Sequence, residues 1–318
     1  MPSSEHRKDW GDIVFQRSVM ALSCVILALA FLMFAMLLHA SWPSIQKFGP
    51  AFLWTTTWDP VFENFGALPF IYGTLVSSFV ALLIAVPIGV GTALYLAEYA
   101  PIWIRNTVSM LVDLLAAIPS VVYGLWAVFE LVPQMRNVVQ PFLGKTLGFL
   151  PFFQGPNYGV GFLSASVVLA VMIVPFIISV SREVILSVPT IYKEAAYALG
   201  ATRWEAMRSI ILSYGKTGIV GAVILALGRA IGETMAVTMI IGNNVKISAS
   251  LFSPGYTLAS VIANEFTEAT GKLYQSALIE IGLVLLFVSI FVNVLARMLI
   301  WSMERKQFSR QPQAMRAA

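Results

Sequence analysis

The sequence predicts an all-α membrane protein with about six transmembrane helices. Apolar residues make up 58% of its 318 positions, whereas charged residues make up only 11%. A soluble globular chain carries about 25% charged residues, so this chain has too few charges to cover a water-exposed surface. Lipid offers the backbone no hydrogen-bond partners and no alternating barrel pattern is present, so helices are the expected spanning form.

Six stretches are apolar over enough residues to cross a hydrocarbon core of ~30 Å, which needs ~20 helical residues. They cover residues 19–40, 72–97, 108–130, 159–181, 217–242 and 276–301. The first stretch is too long for a signal-peptide core and lacks a cleavage pattern, so we interpret it as a retained span. Three prolines, which usually mark kinks in membrane helices, lie inside these spans: Pro87, Pro119 and Pro175.

Lysine and arginine are unequally distributed over the two sides of the predicted membrane. With an even number of spans, both termini lie on the same side as loops 98–107 and 182–216. That side holds fourteen of the 20 basic residues and the other side five, which predicts cytoplasmic termini. The predicted parts are a cytoplasmic segment 1–18, a first helix with an external segment 19–71, a transmembrane domain 72–301 and a cytoplasmic tail 302–318.

The long external segments are rich in proline and tryptophan. Segment 41–71 contains Trp42, Trp54 and Trp58, and segment 131–158 contains four prolines. Tryptophan at such positions most often anchors a helix end to lipid headgroups. Contact with a partner protein is the alternative interpretation.

Loop 182–216, on the predicted cytoplasmic side, is expected to form two short helices joined at a glycine. Glu194 is followed by the strong helix formers Ala195 and Ala196, and Gly200 is a natural helix stop. Together the two helices would make a compact elbow at the membrane surface.

The second helix of this elbow is predicted over residues 203–212. Thr202 and Glu205 have the spacing of a capping box, in which each residue bonds the backbone of the other. Apolar residues then recur at helical spacing. We expect residues 213–215 to break the helix before span five.

The elbow sequence resembles the EAA signature of ABC importer permeases. The match consists of Glu-Ala-Ala at 194–196, then Gly200, Ile210 and Leu212 at the family spacing, with Ser213 where the family normally has proline. An ordinary amphipathic surface loop is the alternative. The resemblance implies a type I ABC importer permease fold whose elbow, the coupling helix, docks on a separate ATPase. The residues implied in that contact are Glu194, Ala195, Ala196, Gly200, Ala201, Arg203 and Glu205.

Three further segments, 41–49, 114–124 and 228–237, look like the phosphate-specific transport permeases of bacterial inner membranes. The Trp-rich external segment before span two and the Thr-Met-Ala-Val sequence at 234–237 look like the C subunit of that family. This resemblance implies a second permease (the A subunit), two ATPase subunits and a periplasmic phosphate-binding protein as partners. It also implies that the partner ATPase uses ATP and Mg²⁺. The chain has no Gly-x4-Gly-Lys-Ser/Thr loop, so we expect no cofactor in it, and we expect contact with phosphate and lipid but not nucleic acid.

Span five carries two charges deep in the predicted membrane, Arg229 and Glu233. A charge at this depth costs ~2.5–3.5 kcal/mol on insertion scales and rarely faces lipid. Four residues apart, the two side chains would share one helix face. We interpret Arg229 as a phosphate contact in the pathway, Glu233 as the group that holds and tunes it, and Thr234 as a neighbour. A buried salt bridge against the partner permease is the alternative.

Other intramembrane polar residues are weaker candidates for a function. We expect Asp113 to cap the start of span three, Glu130 to lie at the outer interface and Glu280 to lie in the first turns of span six. Thr238 is expected to line the face of Arg229 or to bond the helix backbone. The alternatives for function are another oxyanion such as molybdate or sulfate, an ion-coupled secondary carrier, or a scaffold or sensor without transport.

Overall fold

The computed structural model describes residues 10–308, and this part is helical without named strands. The basic residues Arg7, Lys8, Arg310 and Arg316, which entered the charge count, lie outside the described residues. The helices are α1 Trp10–Phe48, α2 Leu68–Tyr99, α3 Ile102–Ala117, α4 Ser120–Leu147, α5 Phe162–Leu186, α6 Thr190–Ala198, α7 Arg203–Ile231, α8 Met235–Ile240, α9 Leu258–Glu265 and α10 Lys272–Phe308.

Five of the described helices, α1, α2, α5, α7 and α10, are long and apolar enough to cross a membrane. The sixth candidate span is the pair α3 and α4, which are bent by 93° relative to each other. The predicted span 108–130 therefore contains a sharp bend at Pro119, where the proline indicated a kink. Ile118 and Pro119 are both extended, with ψ of 130° and 140°. Ile118 is extended because the residue before a proline is sterically disfavoured in the helical region.

The fifth span also differs from the prediction at both of its ends. No break occurs at residues 213–215, since α7 runs without interruption from Arg203 to Ile231. Ser213 keeps the backbone N–H that a proline would remove, so the helix can continue through this position. At the other end the predicted span 217–242 is interrupted by residues 232–234, which separate α7 from α8.

The packing of α2 against α5 forms the centre of the bundle. One face of α2 carries a small residue at every fourth position, which places them in a row along the helix. All of them are buried: Gly73, Ser77, Ala81, Ala85, Gly89, Ala93 and Ala97. Such a row lets two helix backbones approach closely, which is how helices associate where lipid removes the hydrophobic drive. Pro87 and Pro175 lie inside these two helices, as predicted.

Helix α1 packs beside α10. It continues through Pro43 and ends at Phe48, which is eight residues beyond the predicted end of span one at residue 40. At this end of the bundle Trp58 is packed among aromatic rings rather than placed at an open surface. Its indole N–H donates to Glu265 Oε2 at 2.7 Å, and the hydroxyl of Tyr274 donates to the same oxygen at 2.7 Å. Trp58 therefore ties the segment before α2 to α9 and α10.

Substitution of Gly89 by leucine should destabilise the bundle. A Cβ atom at this position would lie 2.7 Å from Cγ2 of Ile177 on α5, and overpacking of this kind costs about 1–3 kcal/mol. The measurement is thermal unfolding of the detergent-solubilised protein. Gly91→Leu is the matched control, because no heavy atom lies within 4 Å of its Cβ position. Equal melting temperatures for the two variants would contradict the close α2–α5 packing.

Candidate coupling and translocation sites

The predicted elbow is present as two helices, α6 and the start of α7, joined by a short turn at Gly200. Helix α6 ends at Ala198, and Gly200 follows with φ of +85°. In this left-handed region a glycine avoids the steric cost that other residues meet. The N–H of Ala201 donates back to Ala196 O at 3.1 Å, so the turn closes over the end of α6. The first-helix and glycine-stop predictions are confirmed.

The capping box at the start of α7 is also confirmed. The Thr202 hydroxyl accepts a hydrogen bond from the N–H of Glu205 at 3.3 Å, and the Glu205 carboxylate accepts from the N–H of Thr202 at 2.8 Å. These two bonds satisfy backbone donors that a helix N-terminus otherwise leaves free. The capping box therefore fixes where α7 begins and how it leaves the glycine turn.

The elbow exposes an apolar surface at the end of the bundle. Leu199 is 89% exposed, and the side chains of Ile191, Tyr197 and Trp204 are also largely exposed. Of the residues predicted to contact an ATPase, Ala196 is buried against the bundle and Ala201 is half-buried, while the remaining members are exposed. These exposed members are Glu194, Ala195, Gly200, Arg203 and Glu205. An exposed apolar patch with a polar rim is typical of a surface that binds another protein.

Arg229 lies in the last turn of α7 and is exposed on the surface of the single chain. Within residues 10–308 its guanidinium has neither a hydrogen bond nor an ion pair. The expected pair with Glu233 is therefore absent from the structure. An unpaired guanidinium presents a planar fork of donors that matches the oxygens of phosphate or carboxylate.

Glu233 and Thr234 lie in the break between α7 and α8 rather than on the helix face of Arg229, which corrects that prediction. Gly232 ends α7, and the Glu233 carboxylate accepts a hydrogen bond from the N–H of Ala236 at 3.2 Å, in the first turn of α8. The Thr234 hydroxyl donates to Gly232 O at 3.3 Å, and Thr238 donates back to Thr234 O at 2.7 Å. These side chains satisfy the backbone that the break exposes.

The three weaker candidates occupy different environments. Asp113 lies near the end of α3, not at its start, so the predicted helix cap is wrong; its carboxylate accepts from the Ser179 hydroxyl on α5 at 3.2 Å. Glu130 is exposed on α4. Glu280 is only 6% exposed, on the α10 face that contacts α1 near Ser44. None of the three lies beside Arg229 in sequence or on its helix.

Sequence reasoning missed three features, two of which have a recognisable signal in the sequence. The order Gly232, Glu233, Thr234 is a glycine helix stop followed by polar capping residues, the usual sign of a helix boundary. The small residues at every fourth position of α2 predict close helix packing. The pairing of Lys193 on α6 with Glu98 on α2 had no signal, because the two residues are far apart in sequence.

Comparison with protein families identifies the class of this chain. The sequence model of the binding-protein-dependent transport system inner membrane component family matches residues 85–305. The chain belongs to this family. The matched region begins within α2 and includes α3 to α9 and most of α10, so α1 lies outside the shared part.

Several relatives are similar to this chain in sequence over nearly their full length. The phosphate transport system permease protein PstC of Pasteurella multocida is 46% identical over 300 residues, covering 93% of each chain. The protein of the same description from Haemophilus influenzae is also 46% identical, covering 93% of this chain and 95% of that relative. The PstC protein of Mesorhizobium japonicum is 43% identical over 299 residues, covering 93% and 91%.

Solved structures show the same fold at low sequence identity. A chain of a bacterial alginate ABC transporter aligns with a TM-score of 0.58 at 20% identity, covering 91% of this family member and 96% of that chain. A chain of the MetNI methionine ABC transporter aligns with a TM-score of 0.50 at 21% identity, covering 73% and 91%. The predicted type I ABC importer permease fold is thus confirmed.

Replacement of Thr202 by alanine should loosen the start of α7, because it removes the acceptor of the Glu205 N–H. Loss of such a cap costs about 1 kcal/mol, which corresponds to roughly fivefold faster hydrogen exchange at the Glu205 amide if local opening controls it. Hydrogen-exchange mass spectrometry of the elbow peptide measures this change. Thr202→Ser, which keeps the hydroxyl, should exchange at the wild-type rate, and equal rates in both variants would refute the role of the cap.

Proposed function

We propose that this chain is a permease subunit of an ATP-driven phosphate importer and forms half of the translocation pathway. The observation that carries the proposal is the 46% identity, over 93% of the chain, to relatives described as phosphate transport permeases. The free guanidinium of Arg229 supports an anionic substrate, because guanidinium groups bind phosphate oxygens through paired donors.

The partners in this proposal are a second, similar permease, two ATPase subunits and an external phosphate-binding protein. The ATPase subunits use ATP and Mg²⁺, and this chain has no nucleotide site of its own. The exposed apolar elbow, with Leu199 and Trp204 at its surface, is the surface proposed to dock on an ATPase. The excess of basic residues in loops 98–107 and 182–216 supports cytoplasmic termini, and membership of an inner membrane component family supports a bacterial inner membrane.

Transport proceeds by alternating access in this proposal. ATP binding closes the ATPase pair, and the elbow moves with the ATPase surface to which it is docked. Since α7 is continuous from Arg203 to Ile231, movement of the elbow displaces Arg229 at its far end. Phosphate contacts Arg229 between the two permeases, and Glu233 and Thr234 lie beside this point in the helix break. A pathway site has to attract its ion and still release it. A single arginine meets this requirement better than a site that surrounds the anion with several cationic groups.

Neutralisation of Arg229 should reduce phosphate uptake strongly. A hydrogen bond to a charged group contributes about 1.5–3 kcal/mol, so we expect Arg229→Gln to lower ATP-dependent uptake of labelled phosphate about tenfold or more. Arg229→Lys keeps the charge but loses the planar fork, so its uptake should be intermediate. Initial rates in proteoliposomes with the partner subunits, at matched complex abundance, give the comparison.

Arg17→Gln is the control, because Arg17 is exposed on α1, outside the family region. Wild-type uptake in both Arg229 variants would refute the proposed contact. Competition by sulfate and molybdate separates phosphate from other oxyanions, and uptake without nucleotide would indicate an ion-coupled carrier. ATPase stimulation without any uptake in the wild-type complex would favour a sensor.

A further inference from the structure

An ion pair ties the elbow to the end of α2. Lys193, on α6, donates from Nζ to the carboxylate of Glu98, on the last turn of α2. The side chains are only 16% and 14% exposed, so water screens this pair much less than a surface pair. Glu194, the first residue of the EAA signature, follows Lys193 directly but is exposed.

This pair anchors α6 to α2, while the ring of Tyr192 on α6 lies 6.0 Å from that of Tyr214 on α7. The helix has nine residues, too few to be stable in isolation, so its position depends on contacts with the rest of the protein. Ala196 is its one buried residue in the described structure, and alanine buries little apolar area. Removal of one partner from such a pair leaves the other charge partly buried and uncompensated.

The same turn of α2 is held from its other side by α3. Residues Tyr95–Tyr99 form a π-helical turn, and the Arg105 guanidinium donates from Nε to Leu96 O at 2.9 Å and from Nη2 to Ala97 O at 3.0 Å. Carbonyl groups in the last turn of a helix lack intrahelical partners, and a cation there is also favoured by the helix dipole. One turn of α2 is therefore bound to α6 on one side and to α3 on the other.

Contacts continue from α3 to the helix break near Arg229. Beyond the Pro119 bend, the Tyr123 hydroxyl donates back to Leu115 O on α3 at 2.8 Å. Gly124 packs directly on α8, since a Cβ atom added there would lie 3.1 Å from the Cα of Ala236. Helix α8 begins immediately after Glu233 and Thr234. The break between α7 and α8 is thus connected to the elbow in two ways: directly along α7, and through α2, α3, α4 and α8.

We propose that Lys193 and Glu98 are a positioning pair that transmits movement of the elbow to α2 and, through Arg105, to α3. This inference rests on the proposed function, in which the elbow follows an ATPase. The elbow then acts on the bundle at two points: it pushes α7 directly through the chain, and it pulls the end of α2 through the ion pair. Loss of the ion pair would disconnect the end of α2 from the elbow, while the elbow would stay docked on the ATPase.

The test is a charge exchange with uptake per ATP hydrolysed as its readout. Lys193→Glu and Glu98→Lys each place like charges together, so each should lower phosphate transported per ATP roughly three- to tenfold, while Lys193→Glu/Glu98→Lys should return within about twofold of wild type. Glu98→Gln is the milder variant if a reversal fails to assemble. A merely structural role would change the amount of assembled complex but not this ratio.

The control is the same exchange at Lys47 and Glu63, an exposed pair at the opposite end of α2 with side chains 45% and 53% exposed; this exchange should leave the ratio unchanged. Wild-type ratios in the single variants, or no recovery in the double variant, would overturn the inference. A defect in Lys193→Glu but not in Glu98→Lys would also overturn it, because Lys193 would then act on the ATPase directly.

A second measurement is independent of the transported solute. In the wild-type complex, the hydrogen-exchange rate at residues 96–99 should differ between the nucleotide-free and the ATP-bound state. The two single variants should show no such difference, and the double variant should show it as the wild type does. The same response in all four proteins would refute the linkage even if the substrate is not phosphate. Absence of ATP-driven phosphate uptake by the wild-type complex would instead refute the proposed function alone.

Discussion

The close approach of α2 and α5 is the constraint on which the rest of the structure depends. Along α2, every fourth residue from Gly73 to Ala97 is glycine, serine or alanine, and all are buried. In a bilayer the solvent is as apolar as leucine, so tight van der Waals packing between small residues has to replace the hydrophobic effect as the force that joins helices. At Gly89 the contact with Ile177 leaves no room for a Cβ atom. Helices α3, α4, α7, α8 and α9 pack on this pair.

The continuity of α7 gives this arrangement a mechanical consequence. The helix runs from Arg203, at the elbow, to Ile231, two residues past Arg229, so about 39 Å of unbroken helix separates the two candidate sites at 1.5 Å per residue. The family pattern normally has proline where Ser213 stands, and proline kinks or breaks a helix. With serine, the elbow surface proposed to dock on the ATPase and the proposed substrate contact lie on one continuous helix, and the helix break lies at residues 232–234.

The sequence predicted those features that depend on local chemistry. Composition predicted a membrane protein, the Thr202 and Glu205 spacing predicted the capping box, and Gly200 predicted the helix stop with its positive φ. Pro119 indicated a kink, but hydropathy could show neither the 93° size of that bend nor the break after Gly232, because an apolar run looks the same whether its helix is continuous or bent. It also could not pair Lys193 with Glu98, since that contact depends on how α2 and α5 place distant loops together. The residue types at the candidate site were found, but the relation of Arg229 to Glu233 was not.

The separation of Arg229 from Glu233 changes the chemistry that the site offers. A carboxylate on the same helix face would neutralise the guanidinium, and an anion would then have to compete with it for the same donors. In the structure the Glu233 carboxylate instead accepts the N–H of Ala236, so its charge stabilises the first turn of α8 and leaves the donors of Arg229 free. A shift of α8 relative to α7 would move this carboxylate with respect to the guanidinium. Because α4 packs on α8 and connects through α3 and Arg105 to the end of α2, which Lys193 joins to the elbow, the proposed coupling would alter the distance between these charges by both routes.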